Sequence, residues 1–474
     1  MLGTLIQKEL REISRNGSLR IVGVAVFGLL LVTLGLGLRE ARAVRAERYA
    51  AQKVADGHFR TQDDKNPHVA AHYGTYVFKP AGALSFVNPG VDAFVGVSLK
   101  LEAHKRNRLE GARARDGTAL ARFSRLSVAS VLELLVPILV VAMGFAAWTA
   151  ERERGTLRQL KSLGVEPRSL LVGKLLGLLL ALAALLIPAF ALCVVGVSVF
   201  GGALEVGGWG RLFALVLVYG SYVVLWANLT LWASARAKSS RGALVTLLGI
   251  WVSVSLIVPR VATDIAMVLS RVPSEAVLSA RVKASLNEGV PGGTAREARV
   301  NEFSEKLLLQ YGFKGAETLM DASLLNGLEL QAEALFENEV LDHHYAELGA
   351  ALDRQERLEQ VLGVLSPVIV ARSLSMALAG TDAAHHRQFS DRAEIHRRAL
   401  VDLLNREFAE KGGTRGFDYK AGKELWEKAP KFAYSPPALQ WVLGRQFPSL
   451  VLLVCWLVVS ALLAYRAVAR LEVA

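Results

Sequence analysis

The sequence predicts an all-α integral membrane protein: six transmembrane helices plus a large helical periplasmic domain built from two extracytoplasmic insertions. Three observations carry this expectation. Apolar residues make up 52% of the chain. Six apolar runs reach or approach the ~20 residues that a helix needs to cross a bilayer. Basic residues in the short connections gather on one side, as the link between Lys, Arg and cytoplasmic loops requires.

Residues 1–18 read as an amphipathic cytoplasmic segment, with Lys8, Arg11 and Arg15 ahead of a first span at 19–38. Ala41-Arg42-Ala43 imitates a signal cleavage site. The apolar run is too long for one, however, and Glu9 and Glu12 spoil a positive leading region, so this helix is expected to be retained. The first insertion, 39–126, begins as a charged continuation of the helix and turns at Asn66-Pro67 into a compact, irregular piece rich in Gly, Pro and aromatics. A second span at 127–149 leads into a charged cytoplasmic stretch at 150–169 with Arg152, Arg154, Arg158 and Arg168. The third span, 170–200, exceeds the hydrocarbon thickness and so tilts or includes surface helix. The glycine-rich connection from Gly201 to Arg211 holds one acid and one base and is expected to face outward. Spans at 212–233 and 242–258 flank Arg236, Lys238 and Arg241, a basic cytoplasmic loop without acids. The last span, 448–465, precedes a cytoplasmic tail at 466–474 with Arg466 and Arg470.

The second insertion, 259–447, should be helical. Thr294-Ala295-Arg296-Glu297 resembles a capping box opening a helix that stops near Gly312. Leu341, Tyr345, Leu348, Leu352, Leu358, Leu362 and Leu365 follow steps of three and four, with one double step of six, along one face of a long helix broken by Ser366-Pro367. Two shorter helices follow, Val368 to Ala379 and Asp382 to Lys411, and Pro430, Pro436 and Pro437 mark an irregular return to the membrane.

Several function classes are excluded or weakened. No Gly-x-x-x-x-Gly-Lys-Ser/Thr loop, His-Glu-x-x-His, Gly-x-Ser-x-Gly or zinc-spaced cysteine pair occurs. The chain is therefore not expected to be an enzyme or to bind a nucleotide itself. Its net charge of +12 is read as a cytoplasmic-side excess of basic residues plus charged helices, not as a nucleic-acid footprint. Cys193 and Cys455 fall inside spans, which argues against a disulfide framework. All nine histidines lie in the insertions. His68 and His72 are spaced to share a helix face, and the dipeptide His385-His386 can approach His343-His344. Imidazole suits copper and zinc. Pro67 and Gly74 leave the first helix short and no Cys or Met cluster accompanies it, so ordinary surface and packing roles are preferred over a metal. Among charges near the membrane, Glu133 lies in the second span, while Arg260 and Asp264 stand four apart beyond the fifth and are expected to pair locally. Pro137 and Pro188 are candidate kinks.

The stretch Glu151-Arg152-Glu153-Arg154-Gly155-Thr156-Leu157 is tethered at both ends by spans. Carboxylates suit a helix start, Gly155 permits a bend or close approach, and Leu157 and Leu160 are expected to offer apolar knobs to a partner's groove. This segment resembles the Glu-x-Glu-x-Gly-Thr-Leu element joining the second and third spans in permease subunits of type-2 ABC exporters, with Gly173-Lys174 where the third span commonly begins. The typical member has only short outer loops. Asn66-Pro67-His68-x-Ala70-Ala71-His72-Tyr73-Gly74, Leu99-x-Leu101-Glu102-Ala103-His104 and Gly380-Thr381-Asp382-x-x-His385-His386-x-x-Phe389 are similar to a branch with large outer domains. A six-span relative with the same loop signature serves the copper-site maturation of nitrous oxide reductase.

The resemblance implies a bacterial inner-membrane permease with both termini cytoplasmic, coupled through residues 151–157 and Leu160 to a dimeric cytoplasmic ATPase that holds the ATP and Mg. It also implies a second permease copy or paralogue, contact with lipid, and either export or mechanical transmission to a periplasmic or outer-membrane partner. Two rival classes stand beside it. One is a membrane-anchored periplasmic interaction or sensory protein without transport, and the other a metal-handling factor resting on the histidines.

Overall fold

The computed structural model describes residues 2–116, 126–200, 208–313 and 322–471. It is helical almost throughout, and among the described residues six helical stretches are long and apolar enough to cross a membrane: Leu19–Arg60, Val128–Glu153, Pro167–Val195, Gly208–Arg236, Ser240–Leu269 and Phe447–Ala469. The fold class and the number of spans are those the sequence predicts. Most of the connection expected to face outward, residues 201–207, lies outside the described residues.

Helix α1 (Leu2–Arg15) is separated from α2 (Gly17–Arg60) by Asn16, whose side chain accepts from the Leu19 amide. With 44 residues, α2 runs about 66 Å at 1.5 Å per residue. One unbroken rod thus carries the first span far into the first insertion. There α3 (Pro67–Tyr73) is capped by the Asn66 side chain. A small antiparallel sheet follows, in the order β1 (Thr75–Phe78), β2 (Ser98–Glu102), β3 (Lys105–Arg106). The sequence reading treats this piece as irregular. Val77, Leu99 and Leu101 are buried against Phe389 and Ala393 of the second insertion, and that packing makes so short a sheet stable.

The second span passes through a π-helical turn, Val131–Leu135, into α4 (Val136–Gly144). Pro137 has no amide hydrogen for the Glu133 carbonyl, and the Tyr222 hydroxyl donates to that carbonyl instead, at 2.9 Å. Then come α5 (Thr149–Glu153), α6 (Thr156–Ser162), α7 (Pro167–Phe200) with Pro188 inside it, α8 (Gly208–Arg236) and α9 (Ser240–Val252). A second π turn, Ser253–Ile257, joins α9 to α10 (Val258–Leu269). The fifth span is therefore 30 residues long, against the 17 read from sequence, because the turn absorbs Pro259 without ending the helix.

Helices α11 (Glu275–Glu288), α12 (Arg296–Gln310), α13 (Ala322–Leu362), α14 (Pro367–Ala379) and α15 (Ala383–Lys411) build the second insertion, and α16 (Phe447–Ala469) is the last span. The long helix, its break at Ser366-Pro367 and the two helices beyond match the predicted pattern. The capping box does not form. Ala295 is bridged to Gly289 and is itself the cap residue of α12, without a side-chain bond, so Thr294 sits too early.

Two helices organise the bundle. Helix α8 is the most buried of the spans, nearly all round from Ser221 to Ala235, and serves as the hub, with Tyr222 and Trp226 in a core shared by Val136, Leu139, Val140 and Leu182. Helix α14, although part of the second insertion, packs among the spans: Val368 and Ala371 join that same core, and Leu374 and Leu378 meet Leu215 and Tyr219.

Candidate functional site

At the end of the bundle where α1, α5 and α6 meet, Trp148 is fully buried with Leu170, Leu231 and Ala464. Its amide donates to the Ser234 hydroxyl at 3.0 Å and the Lys174 ammonium lies 5.0 Å from its ring. From this anchor, three successive side chains of α5 reach four other helices. Glu151 is buried and accepts from Lys174 at 2.8 Å and from Lys8. Lys174, whose side chain is only 3% exposed, also donates to Glu9 at 2.8 Å. Arg152 donates to the Ala235 and Ala237 carbonyls at 3.1 and 2.5 Å, covering unsatisfied groups at the end of α8. Glu153 accepts from the Ser240 amide and hydroxyl at 2.8 and 2.9 Å, capping the start of α9. Three consecutive residues thus hold α1 with α7, α8 and α9.

Gly155 follows with φ of +74°, the left-handed region that favours glycine, and no neighbour lies within 4 Å of where its Cβ would stand. It makes the bend, not a close approach. Thr156 ties the bend back, its hydroxyl donating to the Glu151 carbonyl at 3.2 Å. The expected outward role of Leu157 is corrected: it is 1% exposed and packs inward with Trp148, Val165 and Leu170, because the Gly155 bend folds α6 back on the bundle. Leu160 is half-buried on the same cluster. The outward face instead carries Arg154, Arg158, Gln159 and Leu163, the last 77% exposed. Arg236, Lys238 and Arg241 are exposed on the adjoining loop and complete a basic rim.

Helix α1 rests in a groove made by missing side chains. A Cβ at Gly173 would stand 2.9 Å from the Leu5 Cβ, and one at Gly177 2.6 Å from the Glu9 Cβ. Burial opposes the charge of Lys8, but its bond to Glu151 and the fields of Glu9 and Glu12 outweigh that and raise its ammonium above the ordinary lysine value. Replacing Gly177 by Leu is expected to expel α1 at a cost of about 1–3 kcal/mol of overpacking. Hydrogen exchange of residues 5–12 should rise from protected to freely exchanging.

The other predicted charges separate. Glu133 is buried in the π turn and pairs at 2.9 Å with Arg372 of α14, a partner the sequence reading misses. Arg260 and Asp264 are both exposed on α10 and form no ion pair among the described residues, which corrects the expected local pair. The two His-His dipeptides do not meet either. His385 bonds Asp382, and His386 bonds Asp92 at 2.7 Å, whereas His344 bonds Ser285 at 2.9 Å. Burial disfavours the Asp92 charge, yet His386, Lys79 at 3.0 Å and Arg48 hold its carboxyl well below the usual carboxylate range. His68 and His72 do come together, their Nε2 atoms 3.1 Å apart, with His104 beside them.

Six apolar helices long enough to span a membrane among the described residues, a charged clamp that joins four helices and two packed insertions define a multi-pass membrane protein with a junction between its spans. Residues 4–472 match the family described as ABC-2 family transporter protein, and the chain belongs to that family. It is thus a permease subunit of an ABC transporter, a class that works with a separate ABC ATPase subunit. No curated protein matches the chain significantly.

Proposed function

We propose that this permease takes up motion from ATP hydrolysis on a separate cytoplasmic ATPase dimer and passes it through the spans to its outer domain and a partner there. The observation that carries this reading is the distribution of Glu151, Arg152 and Glu153 over α1 with α7, α8 and α9. A push on α6 cannot be absorbed locally when its root is bonded to all of them. Transmission is favoured over export by α2, which continues unbroken from the first span to the far insertion. At its tip Arg60 donates to the Glu427 and Ala429 carbonyls at 3.2 Å each, and Phe59 packs edge-on against Trp426.

In this reading the basic rim faces the cytoplasm of a bacterium, both termini lie there, the insertions are periplasmic, and ATP and Mg stay on the ATPase. A second permease copy or a paralogue completes the transporter. The branch with large outer domains accommodates both insertions.

The partner-facing residues in this proposal are Arg154, Arg158 and Leu163, so the informative variant is Arg158→Glu with Leu163→Asp. Both positions are exposed, so the fold should be unaffected. Co-purification with a soluble P-loop ATPase should weaken by about 2 kcal/mol or more, the scale of an interface hot spot. An unchanged complex would overturn the coupling assignment.

A further inference from the structure

We propose that His68, His72 and His104 bind one borderline divalent transition-metal ion, of the zinc(II) or copper(II) class, at the joint between the two insertions. One ring nitrogen from each of these three residues lies within 4.8 Å of the other two. His68 and His72 are one turn apart on α3, and His104 stands in the tight turn between β2 and β3. The Ala103 amide donates to the Ala71 carbonyl at 2.9 Å, which fixes that turn against the helix.

The outer partners define which nitrogens are free. His68 Nδ1 is 3.2 Å from the Asn405 side-chain oxygen, an acceptor, so Nδ1 carries the hydrogen and Nε2 keeps its lone pair. His104 Nδ1 lies 2.8 and 2.9 Å from the two Glu337 oxygens, which leaves its Nε2 bare in the same way. A carboxylate or amide oxygen behind the ring is how metal-binding histidines are oriented and made more basic. The 3.1 Å between the Nε2 atoms of His68 and His72 is close to the roughly 3.3 Å separating two nitrogens that share a tetrahedral ion at about 2.0–2.1 Å. A proton can bridge only two of the three rings. A cation satisfies all three.

His104 supplies a second observation. It has φ of +61° and is the one non-glycine residue among the described residues in the left-handed region. Glycine would serve the turn with less strain, so the position is held by what the imidazole does. His68 is buried, His104 half-buried and His72 exposed. His68 and His104 also line a cleft of about 820 Å³ that gives an ion access and leaves a fourth position open. With imidazole ligands and no thiolate or thioether among them, the site suits zinc(II) or copper(II) over copper(I). The ligands belong to the first insertion, whereas Glu337 and Asn405 lie on α13 and α15 of the second, so a bound ion would fasten one insertion to the other.

The test uses the full chain, free of any histidine tag, stripped with chelator in nanodiscs and titrated with zinc(II) or copper(II) salt against a chromophoric chelator. One equivalent should bind per chain. His72→Ala and His104→Gly should each lower affinity by more than about 100-fold, and Glu337→Ala by about 10–100-fold, as an outer partner does. His343→Ala should change nothing. Both His104→Gly and Glu337→Ala lose the His104–Glu337 contact, so their metal-free melting temperatures separate ligand loss from misfolding: His104→Gly, which relieves the positive φ, should melt no lower than Glu337→Ala. The proposal fails if no equivalent binds, or if His72→Ala and His104→Gly bind as the parent does.

Discussion

Replacing Glu9 and Glu151 together by glutamine is expected to lower stability by about 3–5 kcal/mol, the range for stranding a buried charge. Lys174 is the charge stranded. Its side chain is 3% exposed, and these two carboxylates, each at 2.8 Å, are its only ion-pair partners among the described residues. Either single substitution leaves one acid in place, so each should cost far less than half of the double loss. Lys8 behaves differently: with a third of its side chain exposed it can turn to water when the acids are gone. The double variant should free α1, withdrawing Leu5 from the edge of the apolar cluster around Trp148, and loosen α5 from α7. If the proposed coupling holds, the partner ATPase should then run without moving the insertions, read as wild-type hydrolysis with no change in distance between spin labels on them. Adding Lys174→Met to the double variant should recover most of the stability, because an apolar side chain of similar length fills the site without a charge. Singles as costly as the double variant, or no rescue by methionine, would show that the cluster is not the clamp.

Much of this architecture is legible from residue pattern, and the parts that are not share a cause. Span count, the helical continuation of the first span, the long helix of the second insertion and its break at Ser366-Pro367 are all local signals of length, periodicity and proline. The charged stretch at 151–157 stands out for the same reason. Which way each of its side chains points is not local. Leu157 turns inward because Gly155 adopts a positive φ, and a glycine in a sequence is equally compatible with a bend or a close approach. Glu153 looks like a solvated helix-start acid until Ser240, 87 residues away, is placed beside it. The helix α14 is predicted, but its place is hidden for a related reason: only 13 residues long, it falls below the length of a span yet packs among spans. The partner of Glu133 is hidden with it. His104 has no histidine at i+4 to draw attention, and only folding of the β2–β3 turn against α3 brings it to His68 and His72.

Arg372→Met is the second substitution expected to act strongly, at about 3 kcal/mol, the lower end of the cost of breaking a buried pair. The lower end applies because the pair is lopsided. Arg372 is 41% exposed along its side chain, so its own removal releases a group that was never fully desolvated, whereas Glu133 is 4% exposed and is left with its charge. What remains near that carboxylate is weak: the Tyr219 hydroxyl is 3.4 Å from Oε1 and is already engaged with Ser375 at 2.7 Å. Glu133→Gln should therefore be milder than Arg372→Met, since it removes the charge along with the partner's target. A Glu133→Leu, Arg372→Met pair should return close to the parent, as buried pairs replaced by apolar groups often do. Location gives the asymmetry its functional weight. The pair joins the π turn of the second span to α14, the part of the second insertion that packs among the spans, so under the proposed coupling it is where movement of the clamped bundle would reach that insertion directly. The double apolar variant separates the two roles. It should melt like the parent in nanodiscs and still fail to shift the insertions during ATP turnover; normal movement in that variant would mean that packing of Val368 and Ala371 alone carries the motion.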